Sequence, residues 1–368
     1  MNDILKVEHL EWVKLLDLKA IKYPLMISGM PSLELKELLQ MGFKMNNLEL
    51  FSHKSAQDSY GPLALKQELA RYYNVKVPNI AMCAGANMAI YLLCAGLLKS
   101  GDEIILESPC YEPMRRSAQS LGAKIVPLHR RIENNWQPDP DELARLITKK
   151  TKLILMTDLH NPSGVKMDES VIRRMVKVAE KHNVYIAFDE VYQDFLFGQP
   201  RQPFCKRSPM AITLSSLTKV YGLGFMRTGW IMGTPELAYL FSRAYDYMAA
   251  SDAYPAQMIS LFCMRHIGAL IKRTKQVVGN KKQIIKDWIA TEPRLKWVEP
   301  AGGIICFIKL PFRDSFKFQQ YLFRRYKTAV VPGEYFGTPG YIRIASGTKP
   351  HLLKQGLKNI SLALKAFR

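Results

Sequence analysis

Ser215-Ser216-Leu217-Thr218-Lys219-Val220-Tyr221-Gly222-Leu223-Gly224-Phe225-Met226-Arg227-Thr228-Gly229-Trp230 joins two β-rich runs, 211–215 and 229–233, through a stretch dense in glycine and hydroxyl side chains. Its lysine stands in a setting that suits a covalent aldehyde cofactor. A lysine amine is a nucleophile only while it is neutral. A hydroxyl at −3 (Ser216) and an arginine at +8 (Arg227) are placed to hold a phosphate beside it. The segment predicts strand, ligand-bearing turn and strand, with Lys219 as the anchor.

Outward from this turn, short β-rich runs alternate with amphipathic stretches, the pattern of a mostly parallel sheet covered on both faces. Strands are expected over 80–84, 103–107, 124–127, 152–157, 184–188, 211–215 and 229–233, with helices over 87–98, 140–147, 168–182 and 235–247 between them. After about residue 280 the pattern changes to runs at 297–299, 303–309, 328–331 and 341–345 with helices interposed. The expectation is a seven-stranded α/β layer followed by a smaller α+β domain, in a chain of 368 residues, long enough for both.

Composition excludes several classes of protein. No apolar run reaches transmembrane length, and Met1-Asn2-Asp3-Ile4-Leu5-Lys6 mixes charges where a secretory leader needs an apolar core. The six cysteines form no Cys-x-x-Cys pair and the seven histidines show no ligand spacing, so no metal and a reducing cytoplasm are expected. The formal charge of +20 is spread along the chain. Its densest stretch, Lys272 to Lys286, alternates with Val277, Val278, Ile284 and Ile285 and reads as the wet face of a helix. No stripe of basic and aromatic residues offers a platform for bases, so neither nucleic acid nor membrane is an expected partner. The charge favours anionic small molecules by long-range steering.

Three further segments carry chemistry. Asp189, at the end of the run Tyr185-Ile186-Ala187-Phe188-Asp189, lies where parallel sheets bind ligands and can pair with a protonated ring nitrogen. Tyr192 can donate to a ring oxygen, although an Asp-x-x-Tyr pair alone is commonplace. Asn161, in Asn161-Pro162-Ser163-Gly164, sits on a turn able to aim an amide into a cleft, and a plain turn explains it as well. Cys83-Ala84-Gly85-Ala86-Asn87 runs a strand into a helix through small residues, which suits either a phosphate or tight packing.

Asn161 to Asp189 is 28 positions, Asp189 to Tyr192 is 3, Ser216 to Lys219 is 3 and Lys219 to Arg227 is 8. This register resembles that of the class I/II aminotransferases, pyridoxal-phosphate enzymes of fold type I, from about Gly29 to Arg343. The resemblance implies a 46–280 cofactor-binding domain and a 281–368 small domain joined by the 1–45 segment. It also implies Lys219 as Schiff-base lysine and proton shuttle, Asp189 as partner of the pyridine nitrogen, and Asn161 with Tyr192 at the phenolic oxygen. Gly85, Ala86, Asn87, Ser216 and Arg227 resemble the phosphate cup, and Tyr111 the aromatic that stacks on the ring. Tyr60 resembles the tyrosine that reaches the neighbouring subunit's phosphate, which implies a homodimer with shared sites. Arg343, with Gly29 and Asn161, resembles the substrate carboxylate pocket.

The activity that the resemblance implies is transfer of an amino group from an L-amino acid to a 2-oxo acid. The same cage in other fold type I enzymes serves decarboxylases, carbon–sulfur lyases, synthases and oxidases or hydroxylases, and a non-catalytic descendant that binds a partner is the remaining class. The chain departs from the family at Ala64-Leu65, where a glycine pair is usual. Near Ser251-Asp252-Ala253-Tyr254 there is no basic residue for a second carboxylate, while Tyr23, Tyr111 and Tyr254 suit an apolar or aromatic side chain.

Overall fold

The computed structural model describes residues 5–44, 60–198 and 202–367, and its strands are numbered in chain order from β1 (Tyr23–Pro24). The expected boundary at 45/46 lies outside the described residues. β2 (Ile80–Cys83), β3 (Glu103–Ser108), β4 (Lys124–His129), β5 (Thr151–Thr157), β6 (Tyr185–Asp189), β7 (Ala211–Ser216) and β8 (Gly229–Met232) form one sheet in the order β2-β8-β7-β6-β5-β3-β4. Each strand ends within two residues of its expected limits.

β3 to β7 pair in parallel, and β8 runs antiparallel to both β7 and β2. The connection explains the reversal. A parallel return needs a crossover, usually a full helix, whereas residues 217–228 hold only the one-turn helix Thr218–Tyr221 and the 3-10 turn Gly224–Met226. The chain therefore folds straight back, and Lys219 is left at the carboxyl edge of β7. On one face, Leu153 and Leu155 pack with Ala89, Leu93, Met114 and Phe241 from the helices Ala86–Leu97, Glu112–Ser120 and Pro235–Tyr245. On the other, Ile154 and Met156 pack with Leu143, Ile172 and Met175 from Pro140–Leu146 and Glu169–Lys181. This two-sided burial is why the strands read as continuous apolar runs.

β9 (Lys296–Trp297), β10 (Ile305–Lys309), β12 (Val331–Pro332) and β13 (Tyr341–Ala345) make a smaller antiparallel sheet in the order β12-β13-β10-β9. β11 (Thr328–Ala329) leaves this sheet to pair in parallel with β1, so the single strand expected over 328–331 is two short ones. Leu25 joins the core of this layer, and its carbonyl accepts from Ala345 N–H at 2.7 Å.

The basic stretch also differs from expectation. Two helices, Ile267–Val278 and Lys281–Ala290, meet at Gly279, whose φ of +47° ends the first. Lys281 is buried, and Arg273 turns inward to Glu37 at 2.6 Å. A single wet face is therefore not what forms. No helix among the described residues is long and apolar enough to cross a membrane.

Beneath the rim of the large sheet lies a fully buried ion pair. Glu107, one residue from the end of β3, meets Arg130, just past β4, at 2.7 Å. The other Glu107 oxygen accepts from Thr157 N–H at 2.8 Å, and the His160 ring sits between Ser163 Oγ (2.7 Å) and the Pro109 carbonyl (2.9 Å). The network fastens β3 to the loop after β5. Removing one partner of a buried pair strands the other charge, at a cost of about 3–5 kcal/mol. Arg130→Leu should lower the urea midpoint accordingly. Arg174→Leu, at the exposed Asp141 pair, should change the unfolding free energy by no more than about 1 kcal/mol.

Candidate active site

The expected site residues gather at the carboxyl ends of β5, β6 and β7, where open α/β sheets place ligands. Asp189, last residue of β6, is 4% exposed, and its carboxyl accepts from Val191 N–H at 3.1 Å. Burial pushes this carboxyl up to about 7, against the opposing pull of the Val191 N–H and of the Lys219 charge. Tyr192 packs beside Phe195, and its hydroxyl is buried without a partner. A buried acid and a buried unmet hydroxyl thus share one rim.

Lys219 begins its turn under a segment from the N-terminus. Met30 N–H donates to the Lys219 carbonyl at 2.9 Å, and Lys219 Nζ donates to Ser28 Oγ at 3.4 Å. A Cβ on Gly29 would stand 3.9 Å from Lys219 Cδ, so Gly29 lines the lysine itself. Arg343, in β13 of the smaller sheet, is 2% exposed. It donates to Asn161 Oδ1 at 3.1 Å and to the Met26 carbonyl at 3.0 Å, lies over the Phe336 ring at 5.1 Å, and keeps Nε without a partner. Asn161 is held in turn by its N–H on Thr157 Oγ1 at 3.0 Å.

The second end of the site is built on backbone. Gly85, at φ +85°, precedes the helix Ala86–Leu97, whose start no side chain caps. The N–H groups of a helix start suit an anion. Arg227 lies alongside, donating to the Ala84 carbonyl at 3.1 Å and the Gly224 carbonyl at 3.2 Å. A Cβ on Gly85 would fall 2.6 Å from Arg227 Nη2, and one on Gly229 would fall 2.6 Å from Gly85 Cα. Only glycines allow this approach. Ser216, buried at the end of β7, accepts from Thr218 N–H at 3.3 Å. Tyr111 packs at the start of the helix Glu112–Ser120, with its side chain close to Asn87.

Tyr60 stands apart from this cluster in its own chain, 40% exposed, with its hydroxyl on Asp246 at 3.1 Å. Tyr23 lies in β1 and Tyr254 starts the helix Tyr254–Arg265. Two neighbours of the cluster are not singled out by the sequence. Ser28 is one, and its only signal is adjacency to Gly29. The other is His9, whose buried ring lies 6.1 Å from Tyr111 and 5.6 Å from Phe336. No local pattern marks it, because its neighbours lie more than 100 positions away.

The family model for aminotransferase class I and II matches residues 36–360. The chain is 27% identical to an aspartate aminotransferase of Pyrococcus horikoshii, over 82% of this chain and 81% of that one. It is 26% identical to an arginine–pyruvate transaminase of Pseudomonas aeruginosa, over 83% and 81%. A solved PLP-dependent aminotransferase from Streptococcus suis superposes with a TM-score of 0.90 at 25% identity, covering 100% of this chain and 99% of that one.

The raised Asp189 carboxyl has a signed consequence for the cofactor-free protein. Below its ordinary value of 3.8 the carboxyl is protonated in both states, and the folded chain carries no penalty. As the pH rises towards about 7 the unfolded chain ionises first, and stability is lost at up to roughly 1.4 kcal/mol per unit. Asp189→Asn should therefore raise the melting temperature of the cofactor-free protein at pH 8 and leave it nearly unchanged near pH 3.5. Scanning calorimetry at the two pH values checks this, and an equal shift at both would show that ionisation is not the cause.

Proposed function

The chain belongs to the class I and II aminotransferases, pyridoxal-phosphate-dependent enzymes, and we propose that it moves an amino group from an L-α-amino acid to a 2-oxo acid with Lys219 as covalent anchor. The convergence of Lys219, Asp189, Tyr192, Asn161 and Arg343 on one rim carries this reading. The cofactor's groups fit what these residues lack. A pyridinium nitrogen answers the buried Asp189 carboxyl, a phenolic oxygen answers the unmet Tyr192 hydroxyl, and a phosphate answers the uncapped helix start beside Arg227 and Ser216.

When bound, pyridoxal phosphate draws electrons from the α-carbon of an amino acid and makes its proton acidic. Asp189 keeps that draw strong by holding positive charge on the ring nitrogen, and its buried setting shields the pair from water. Tyr192 and Asn161 would hold the phenolic oxygen, Asn161 through its amide N–H because its Oδ1 is taken by Arg343. Lys219 Nζ would hold and return the α-proton, with Ser28 Oγ positioned to steady it. Arg343 grips the α-carboxylate and so orients the α-hydrogen towards Lys219.

The proposed assembly is a homodimer in which Tyr60 serves the partner's phosphate. Tyr60 bonds Asp246, next to which Tyr247 and Met248 are exposed, Tyr247 at 90%, and Tyr239 and Phe225 are exposed as well. Large apolar side chains left exposed around Tyr60 support an interaction face there. We also propose the division into 46–280 and 281–368 joined by 1–45, and a cytoplasmic location, supported by six cysteines that are all free.

Two measurements test the function. The loaded enzyme should absorb in the visible through its lysine link, and Lys219→Ala should abolish that band. An unchanged band would remove the anchor. Single-turnover mixing with an amino-acid panel should convert the cofactor stoichiometrically to pyridoxamine phosphate, and release of ammonia, carbon dioxide or hydrogen peroxide without it would point to another chemistry on the same cage. In the same assay Arg343→Gln should raise KM for every amino acid about 10- to 100-fold, the worth of a charge-assisted hydrogen bond.

A further inference from the structure

We propose that His9 determines side-chain specificity: its imidazole walls the amino-acid pocket and favours substrates with an uncharged, hydrogen-bonding side chain over those with a second carboxylate. The inference rests on reading Arg343 as the carboxylate clamp and Tyr111 as the aromatic on the cofactor ring.

The His9 ring is 4% exposed, stacks on Tyr335 at 5.3 Å, and meets Phe336 at 5.6 Å and Tyr111 at 6.1 Å, both edge-on. Phe336 also carries the Arg343 guanidinium on its ring at 5.1 Å. His9 therefore stands between the carboxylate clamp and the ring-stacking aromatic. A substrate with its carboxylate on Arg343 and its amine towards Lys219 has its side chain left to place, and this wall borders that space.

The ring is not alone in docking its helix. Glu8–Leu15 is held by His9 backbone N–H on Glu112 Oε2 at 2.7 Å, by Glu8 on Arg116 at 3.2 Å and by Trp12 against Tyr335 at 5.3 Å. The imidazole packs by its ring faces and edges, and its Nδ1 is left buried with no partner. Buried polar atoms in native proteins are nearly always paired, so an unmet one beside a binding site points to a ligand group.

Charge sets the selectivity. Burial, then Arg343 and Lys219, hold the imidazole down at about 3, so it is neutral at working pH. Arg116 is committed to Glu112 and Glu8, and Arg115 lies 3.7 Å from the same Glu112. No free cation of the Glu112–Ser120 helix faces His9 among these pairs, and a second carboxylate would meet a neutral ring backed by acids.

The test uses the loaded enzyme and two matched pairs, glutamine against methionine and tyrosine against phenylalanine, with aspartate added. His9→Phe preserves an aromatic ring and removes both nitrogens, His9→Gln returns a hydrogen-bonding group, and His9→Arg supplies a cation. Relative to wild type, His9→Phe should lower kcat/KM about tenfold for the polar member of each pair and little for the apolar one. His9→Gln should recover part of that loss, and His9→Arg should raise aspartate relative to methionine about tenfold or more. A parallel fall on all substrates, or no change on any, overturns the proposal. Calorimetric binding of α-methyl analogues of the same amino acids, which have no α-hydrogen to lose, reads the wall without turnover. If wild type converts no cofactor while the analogues still discriminate between wild type and His9→Phe, the transamination reading fails and the wall stands.

Discussion

The buried guanidinium of Arg343 joins the two sheets and sets the charge of the space between them. Its residue belongs to β13, yet its hydrogen bonds run to Asn161 on the loop after β5 and to the Met26 carbonyl from the N-terminal segment. Both acceptors are neutral, and the face of Phe336 adds a further uncharged contact. A buried cation without a counter-ion is costly. The fold tolerates it because three separate elements converge to solvate it, and an incoming carboxylate supplies the missing counter-charge.

The supports of that arrangement lie one layer deeper. Asn161 faces Arg343 because Thr157 Oγ1 holds its backbone, and Thr157 is bound to Glu107 in the buried pair with Arg130. The N-terminal segment reaches Arg343 because β1 pairs with β11 and Leu25 is locked to β13, after which Met30 fastens the chain to Lys219. Lysine and arginine are thus positioned by one short stretch, residues 25–30, that bridges the two sheet layers.

Much of this is legible in the sequence, for physical reasons. Strands buried on both faces have to be apolar throughout, so β3, β5, β6 and β7 stand out, and the Gly85 junction and the Lys219 turn carry their small residues openly. What stays hidden is tertiary. β1 is two residues long and exists because β11 pairs with it. The helix Glu112–Ser120 is mostly polar, and only Met114 and Ala118, with its first turn, are buried. Lys281 and Arg273 look like solvent-facing charges in the sequence, and only the bend at Gly279 and the position of Glu37 turn them inward. His9 is silent because its meaning lies wholly in residues 111, 335 and 336.

The two ends of the site differ in the kind of contact that shapes them. Around Gly85 the limits are set by backbone: a Cβ on Gly229 would strike the Gly85 main chain, and Gly85 itself sits at φ +85° against the Arg227 guanidinium. Around His9 they are side chain against side chain, on a helix docked by its main chain and its flanking residues. Change at the first end distorts the backbone, while change at the second needs only a new ring or amide on the same scaffold. Laboratory evolution of this chain towards new amino acids therefore has an entrance at its N-terminal helix, where substrate preference can drift while the cofactor's seat stays fixed.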